Sequence, residues 1–448
     1  MKIKSWTFKT LIVILFLGIE LDLPKNAPGQ TEPQNLNNKI NQYYKLVDIQ
    51  IIGNKKTKNF VILREMQSQP GDSVSIETLE VDQKRIQNLG LFTRVEFHLE
   101  PQAESFILFI VVTERWFLFP YPIYFRNQKD WNKWSYGFGL AHTNMRGRHE
   151  SLDLSFYLGY SKKVSVTYAI PWFISQWKIY AAFNLYLAKE KSRNLAIAQF
   201  HEIRQTFAYS IGKRFGHFSY LDFTMAYNNF RTDTRDNSYT LAASGQDEWL
   251  SYLLNFKFDN RDLYEFPRSG WLLKTYWQKS GRKNRVINYS RLGIDLRRYF
   301  PLPGGTTLAF RSDLELSRGH IPIYDHLYLG YSERIRGHFF SHAEGENRCI
   351  SGVAFRFPLR KITYHSFFQD TPAADYYRNL KFGISAGIFV DAGTVWYQNE
   401  SLALDKFNVG WGFGLFFHLP YVDLARIEYA FNEQLAGQFI LFDLGVAF

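Results

Sequence analysis

The 448-residue chain has a single cysteine, Cys349. No internal disulfide can form, and one thiolate cannot supply a cysteine-based zinc site. No cysteine stands near the N-terminus, which argues against a lipoprotein anchor. The chain also lacks any apolar run of about 18 residues, so a transmembrane helix is not expected. No nucleophile–base pair, phosphate-cradling glycine loop or paired-carboxylate site can be read from it. The expectation is a non-enzyme with no cofactor. His320, His326, His338 and His342 fall in one region, but their spacing is irregular and no Glu-x-x-His helix accompanies them, so no metal site is assigned.

What the chain does have is aromatic residues, 18% of the total. Its mean hydropathy is nonetheless negative, −0.27. That combination is odd for a packed soluble core and suits strands with lipid on one face and water on the other. The net charge of +11 could indicate nucleic acid or anionic lipid. The basic residues are scattered between strands, and the N-terminus reads as an export signal, so no nucleic-acid partner is expected. Lys2, Lys4 and Lys9 precede the apolar run Leu11 to Ile19, which is too short to span a bilayer. Small residues at Ala27 and Gly29 suit cleavage before Gln30. Residues 1–29 are thus read as a signal peptide and 30–43 as a polar, flexible leader.

Residues 44–115 alternate first as a strand, then as two amphipathic helices, then as two strands. Ser75 suits the start of the second helix and Gly90 its end. The order β-α-α-β-β makes a small two-layer module. "TERWFLF" leaves almost no linker after it. From Trp116 helical periodicity stops. In "SLDLSFYLGY", Leu152, Leu154, Phe156 and Leu158 point one way, while Asp153, Ser155 and Tyr157 point the other. A soluble β-sandwich alternates likewise, but the export signal and the Trp and Tyr residues near strand ends favour a membrane barrel. Sixteen segments can be placed, the eleventh at 305–318, the twelfth at 349–358 and the thirteenth at 382–396. The fold class expected for 116–448 is an all-β membrane barrel of about 16 antiparallel strands. The last segment alternates to a terminal aromatic, Phe448.

Three motifs follow in series. The turn after the eighth strand carries Asp259, Arg261, Asp262, Pro267 and Gly270. The long loop before the twelfth strand carries "IRGHFF", with Arg336, Gly337 and Phe339. The thirteenth strand carries "IFVDAGTVW", with Asp391 and Gly393. This series, with the terminal Phe448 and the export signal, resembles the BamA/TamA superfamily of outer-membrane insertases and two-partner secretion transporters. The first module, down to "GLFTRVEF", resembles that superfamily's POTRA domain.

The resemblance implies an outer-membrane protein of a Gram-negative bacterium with its POTRA domain in the periplasm. Its implied partners are outer-membrane lipid, unfolded outer-membrane or secreted polypeptide clients, and periplasmic proteins reached through the POTRA domain. It also implies that the long loop folds back into the lumen, where Arg336 reaches Asp391. A confined guanidinium needs a carboxylate and matches one with two parallel hydrogen bonds. The chain departs from the family's pattern in three places. His338 follows the Arg-Gly pair where an aromatic is usual, and only one POTRA-like module is present. Ala354 stands where the twelfth strand often has Glu, which leaves the arginine one acid fewer. Pro120 and Pro122 lie in the first strand, where each lacks an N–H. They weaken either the seam with the last strand or the pairing with the second. With Phe448 they are the candidate gate residues. Insertion of many clients, secretion of one partner chain and a passive porin-like barrel remain the three functional readings.

Overall fold

The computed structural model describes residues 43–126, 133–192, 200–234, 239–281, 286–330, 333–338, 342–368, 374–421, 424–435 and 437–444. The expected signal peptide, all of the leader but Tyr43, Phe339 and Phe448 lie outside the described residues.

The N-terminal domain runs β1 (Tyr43–Ile52), α1 (Asn59–Leu63), β2 (Ser73–Ser75), α2 (Ile76–Gln87), β3 (Phe92–Gln102) and β4 (Ser105–Glu114). Its sheet order is β2-β1-β4-β3. β1 and β4 are parallel, and the other pairs are antiparallel. Ser75 caps α2 by accepting from Thr78 N at 3.2 Å. Leu108, Ile110 and Val112 alternate inward along β4 and pack with Leu46, Ile62 and Ile86 in one buried core. β2, three residues long, is the element that alternation could not disclose.

The barrel begins four residues after β4. It comprises β5 (Leu118–Arg126), β6 (Trp134–Met145), β7 (Glu150–Gly159), β8 (Lys162–Ile174), β9 (Ile179–Lys191), β10 (His201–Phe215), β11 (Ser219–Thr232) and β12 (Gln246–Asp259). It continues with β13 (Gly270–Ser280), β14 (Asn288–Pro301) and β15 (Thr307–His320). Two short loop strands, β16 (Leu327–Leu329) and β17 (Ala343–Gly345), pair with each other. The wall resumes with β18 (Asn347–His365), β19 (Leu380–Trp396), β20 (Asn408–His418), β21 (Ala425–Asn432) and β22 (Gly437–Leu444). The wall is one antiparallel 16-stranded sheet in sequence order, with β5 and β22 as its ends.

Period-two alternation decides what each face meets. On β14, Tyr289, Arg291, Asp295 and Arg297 point to the lumen, whereas Leu292 and Leu296 are exposed outward. Phe207, Tyr209 and Ile211 on β10 and Trp411, Phe413 and Leu415 on β20 are exposed outward as well. Such an apolar exterior suits lipid and would be costly in water. Across the lumen side, Arg297 is bidentate to Asp295, and Arg348 bonds Glu315 at 3.1 Å.

β18 is longer than expected. The segment expected from the sequence ends at 358, but the strand continues to His365. The ladder with β15 stops at Thr307↔Arg356, so Pro358 lies where that edge is no longer covered. Among the described residues only β19 accompanies the extension, across two register shifts.

Candidate functional site: the lumenal loop and the docked domain

The loop between β15 and β18 turns back into the barrel. Arg336 Nε donates to Asp391 Oδ2 at 2.6 Å and Nη2 donates to Oδ1 at 2.7 Å, a bidentate pair. The Arg336 backbone N–H lies 3.3 Å from the same carboxylate. Nη1 donates to Glu428 Oε1 at 3.0 Å. The guanidinium carbon sits 3.6 Å from the centre of the Phe389 ring. Arg336, Asp391 and Glu428 are 6%, 6% and 2% exposed, so this cation is paired, stacked and almost dry.

The shortfall of acid expected from Ala354 is corrected here. The second carboxylate comes from Glu428 on β21, two strands beyond β19. Ala354 lies in a buried cluster with Phe389, the ring under the guanidinium. Gly337 has φ +96, and a Cβ there would meet the Phe431 carbonyl oxygen at 2.3 Å. Gly393 pairs with Ile350 on β18 and lies beneath Ile335, which is buried with Leu329 and Ile350. His338 bonds the Val409 carbonyl at 3.1 Å and Glu433 at 2.9 Å. Its position after the Arg-Gly pair is thus used by polar contacts.

The same loop is held again near the rim farther from the N-terminal domain. Tyr324 Oη donates to Asp247 Oδ2 at 2.7 Å, while Leu241 N and Ala242 N each donate to that carboxylate at 2.8 Å. Its ring stacks on Phe230 at 3.6 Å. No spacing rule connects residues 247 and 324, and sequence reasoning missed this contact.

At the near rim, the turn of Asp259, Arg261, Asp262, Pro267 and Gly270 is a docking point for the N-terminal domain. Arg261 is bidentate to Asp259 at 2.7 and 2.9 Å. Asp262 Oδ1 accepts from Arg268 N and Ser269 N. Pro267 is buried, and Gly270 opens β13 at φ +103. Asn88 from the N-terminal domain accepts from Tyr264 N at 2.9 Å and donates to the Asp262 carbonyl at 3.0 Å.

A second, unforeseen cluster reinforces this docking. Glu65 accepts two hydrogen bonds of 2.6 Å from Arg214 at the end of β10. Arg85 lies 3.8 Å from Glu65, 3.6 Å from Asp82 and in contact with His217. Burial opposes ionisation of Glu65, yet the Arg214 hydrogen bonds and charge hold its carboxyl below the usual range. Burial, then Arg85 and Arg214, push His217 down to about 4. Other contacts join Thr57 to Asn144, Arg115 to the Tyr421 carbonyl and Arg94 to Asn379. These turns lie on several sides of the rim, so the domain lies across the barrel's mouth.

The phase of the β5–β6 ladder places the two prolines. Thr143 N donates to Phe117 O at 2.8 Å, and the register continues through Phe119↔Ala141 and Tyr121↔Gly139. Hydrogen-bonded pairs alternate along an antiparallel ladder. The nitrogens of Pro120 and Pro122 therefore face the edge of β5 that β6 does not cover.

A 16-stranded barrel with one such α/β domain at its mouth and a loop folded back to its wall defines the class: the chain belongs to the Omp85 superfamily. The Omp85 superfamily domain matches residues 144–448, and POTRA, the surface antigen variable number repeat, matches 44–115. Among solved structures, BamA from Haemophilus ducreyi lacking POTRA domains 1–3 is 15% identical, covering 90% of this chain and 84% of that one at a TM-score of 0.54. CdiB from Escherichia coli is 12% identical, covering 89% and 75% at a TM-score of 0.57. CdiB from Acinetobacter baumannii is 13% identical, covering 89% and 73% at 0.53. At these identities the likeness is one of fold. No curated protein matches the sequence.

Proposed function

We propose that this protein is an outer-membrane barrel that inserts or translocates polypeptides, with its POTRA domain in the periplasm receiving clients. Residues 1–29 serve as the export signal, 30–43 as leader, 44–115 as the POTRA domain and 116–448 as the barrel. Its partners on this reading are lipid, unfolded polypeptide and periplasmic proteins that bind the POTRA domain. No nucleic acid, cofactor or catalytic step is part of it. The Arg336–Asp391 contact serves as the lock that keeps the loop in the lumen.

The observation that carries the insertion reading is the phase of Pro120 and Pro122. A strand edge missing two donors makes a weak seam with β22, and a weak seam can part to template a client strand. Phe448 would complete that seam. Secretion of one partner through the lumen is the second reading, favoured by a loop that sits where a plug would.

The outer-membrane and secreted proteomes are measured after depletion of the protein, with wild type or Pro120→Thr/Pro122→Val re-expressed. Loss of many barrels, with slower recovery in the double variant, supports insertion through the seam. Loss of one exported protein supports secretion. No change in either fraction sinks both and leaves a passive barrel.

A further inference from the structure

We infer that the β18 extension and the POTRA domain form a groove for an extended, acidic polypeptide segment at the near mouth of the barrel. The inference rests on the client-handling reading and names the chemistry of the segment first engaged.

Three observations meet at this place. First, Pro358–His365 are all exposed, and among the described residues only β19 pairs with them. At about 3.3 Å per residue they offer roughly 25 Å of open strand edge. Such an edge presents unpaired N–H and C=O groups and accepts an added strand. Second, a cavity of about 730 Å³ lies between this strand, helix α2 and the turns of the near rim. Buried Arg356, Ser385 and His418 of the barrel wall also line it, so the cavity leads from the POTRA domain toward the lumen. Third, its lining is strongly basic. Lys84 enters from the POTRA domain, Arg268 from the β12–β13 turn, Arg360 and Lys361 from the open strand and Lys381 from β19. Glu265 is the one carboxylate among the described residues of the lining, and it is bonded to Lys381.

Ile362, Tyr364 and Phe266 share the lining. The complement to this surface is a strand that alternates carboxylate and apolar side chains. Backbone pairing would hold the segment in register, and the basic lining would select its charge.

The test uses the full chain in nanodiscs of neutral lipid and a fluorescent dodecapeptide alternating Glu with Val. Anisotropy should show it binding about tenfold tighter than its Gln counterpart, as expected when charge sets selectivity. Arg360→Glu/Lys361→Glu should remove that preference, and a fully N-methylated Glu peptide should not bind. Both substituted side chains are exposed, and retained heat-modifiable migration on gels checks the fold. Equal binding of the Glu and Gln peptides, an unaffected double variant or full binding of the N-methylated peptide would each overturn the inference. Competitive displacement by phosphatidylglycerol vesicles would also overturn it, assigning the groove to lipid headgroups. In cells, a double variant that fully restores the depleted proteome would refute the groove while leaving the proposed function intact. A proteome insensitive to depletion would refute the function itself.

Discussion

Arg336 and Arg214 are each gripped by one carboxylate through two short hydrogen bonds, yet their surroundings differ in kind. Arg336 joins a loop to the wall of its own barrel between Asp391 and Glu428, the latter also 3.6 Å from Arg426, with an aromatic ring beneath. Arg214 joins two domains. It shares Glu65 with two further guanidiniums, Arg64 and Arg85, the second of which also meets Asp82 and a histidine that must stay neutral. Burial, only partly offset by Glu65, pushes Arg64 down to about 10. In the loop contact two carboxylates thus converge on Arg336, while in the domain contact three guanidiniums converge on Glu65. The contrast points to a fixed loop and a POTRA domain that can leave the mouth without unfolding the barrel.

The largest effect should come from Arg336→Ala. It leaves Asp391 buried without its cation and Glu428 with Arg426 alone, at a cost of about 3–5 kcal/mol. Limited proteolysis should then cut the loop rapidly. A loop as protected as in the wild type would mean that the wall does not depend on this pair.

Glu65→Ala should cost about 2–3 kcal/mol of docking, because Arg214 loses its acceptor and Arg85 an ion-pair partner, but both regain water once the domain moves away. Hydrogen exchange should rise along 57–65 with barrel melting unchanged. If the barrel melts early as well, the two clusters do not differ as argued.

Acidification should act on the docked domain. Once the N-terminal domain leaves, His217 regains water and its pKa returns toward the ordinary value near 6.5. Docked, it is held at about 4. The undocked state therefore binds the extra proton, so docking is complete above about pH 6.5 and weakens as pH falls toward 4. Hydrogen exchange across the interface measured between pH 7.5 and 5 should show this, and His217→Asn should make the profile shallower, while His149, held at about 4 by burial, Arg64 and Arg214, keeps part of it.

The smallest effect should be that of Glu428→Gln, about 1 kcal/mol, because the amide oxygen still accepts from Arg336 Nη1. A loss as large as that of Arg336→Ala would make Glu428, rather than Asp391, the principal partner.

Much of the frame was legible in the sequence because a half-lipid, half-water strand must alternate. That rule located every wall strand to within a few residues, except the far end of β18. There only the sheet order reveals that β18 runs on after β15 has ended. Arg336 and Asp391 were legible only through the family motif, since no spacing rule links residues so far apart. Glu428 had a usable signal, an acid on the lumen-facing phase of "ARIEYAFN". The Glu65–Arg214 pair had none. Its members lie 149 positions apart, and each alone looks like an ordinary surface charge.

The loop is pinned at Tyr324 and again at Arg336, twelve positions later. A strap with two buckles does not slacken by halves. Freeing Tyr324 leaves the inner fastening closed, and freeing Arg336 leaves the outer one. Clearing the lumen therefore obeys an AND condition. If the two fastenings are independent, their free energies add and the odds of spontaneous clearance multiply. The barrel can be leak-tight without either contact being unusually strong.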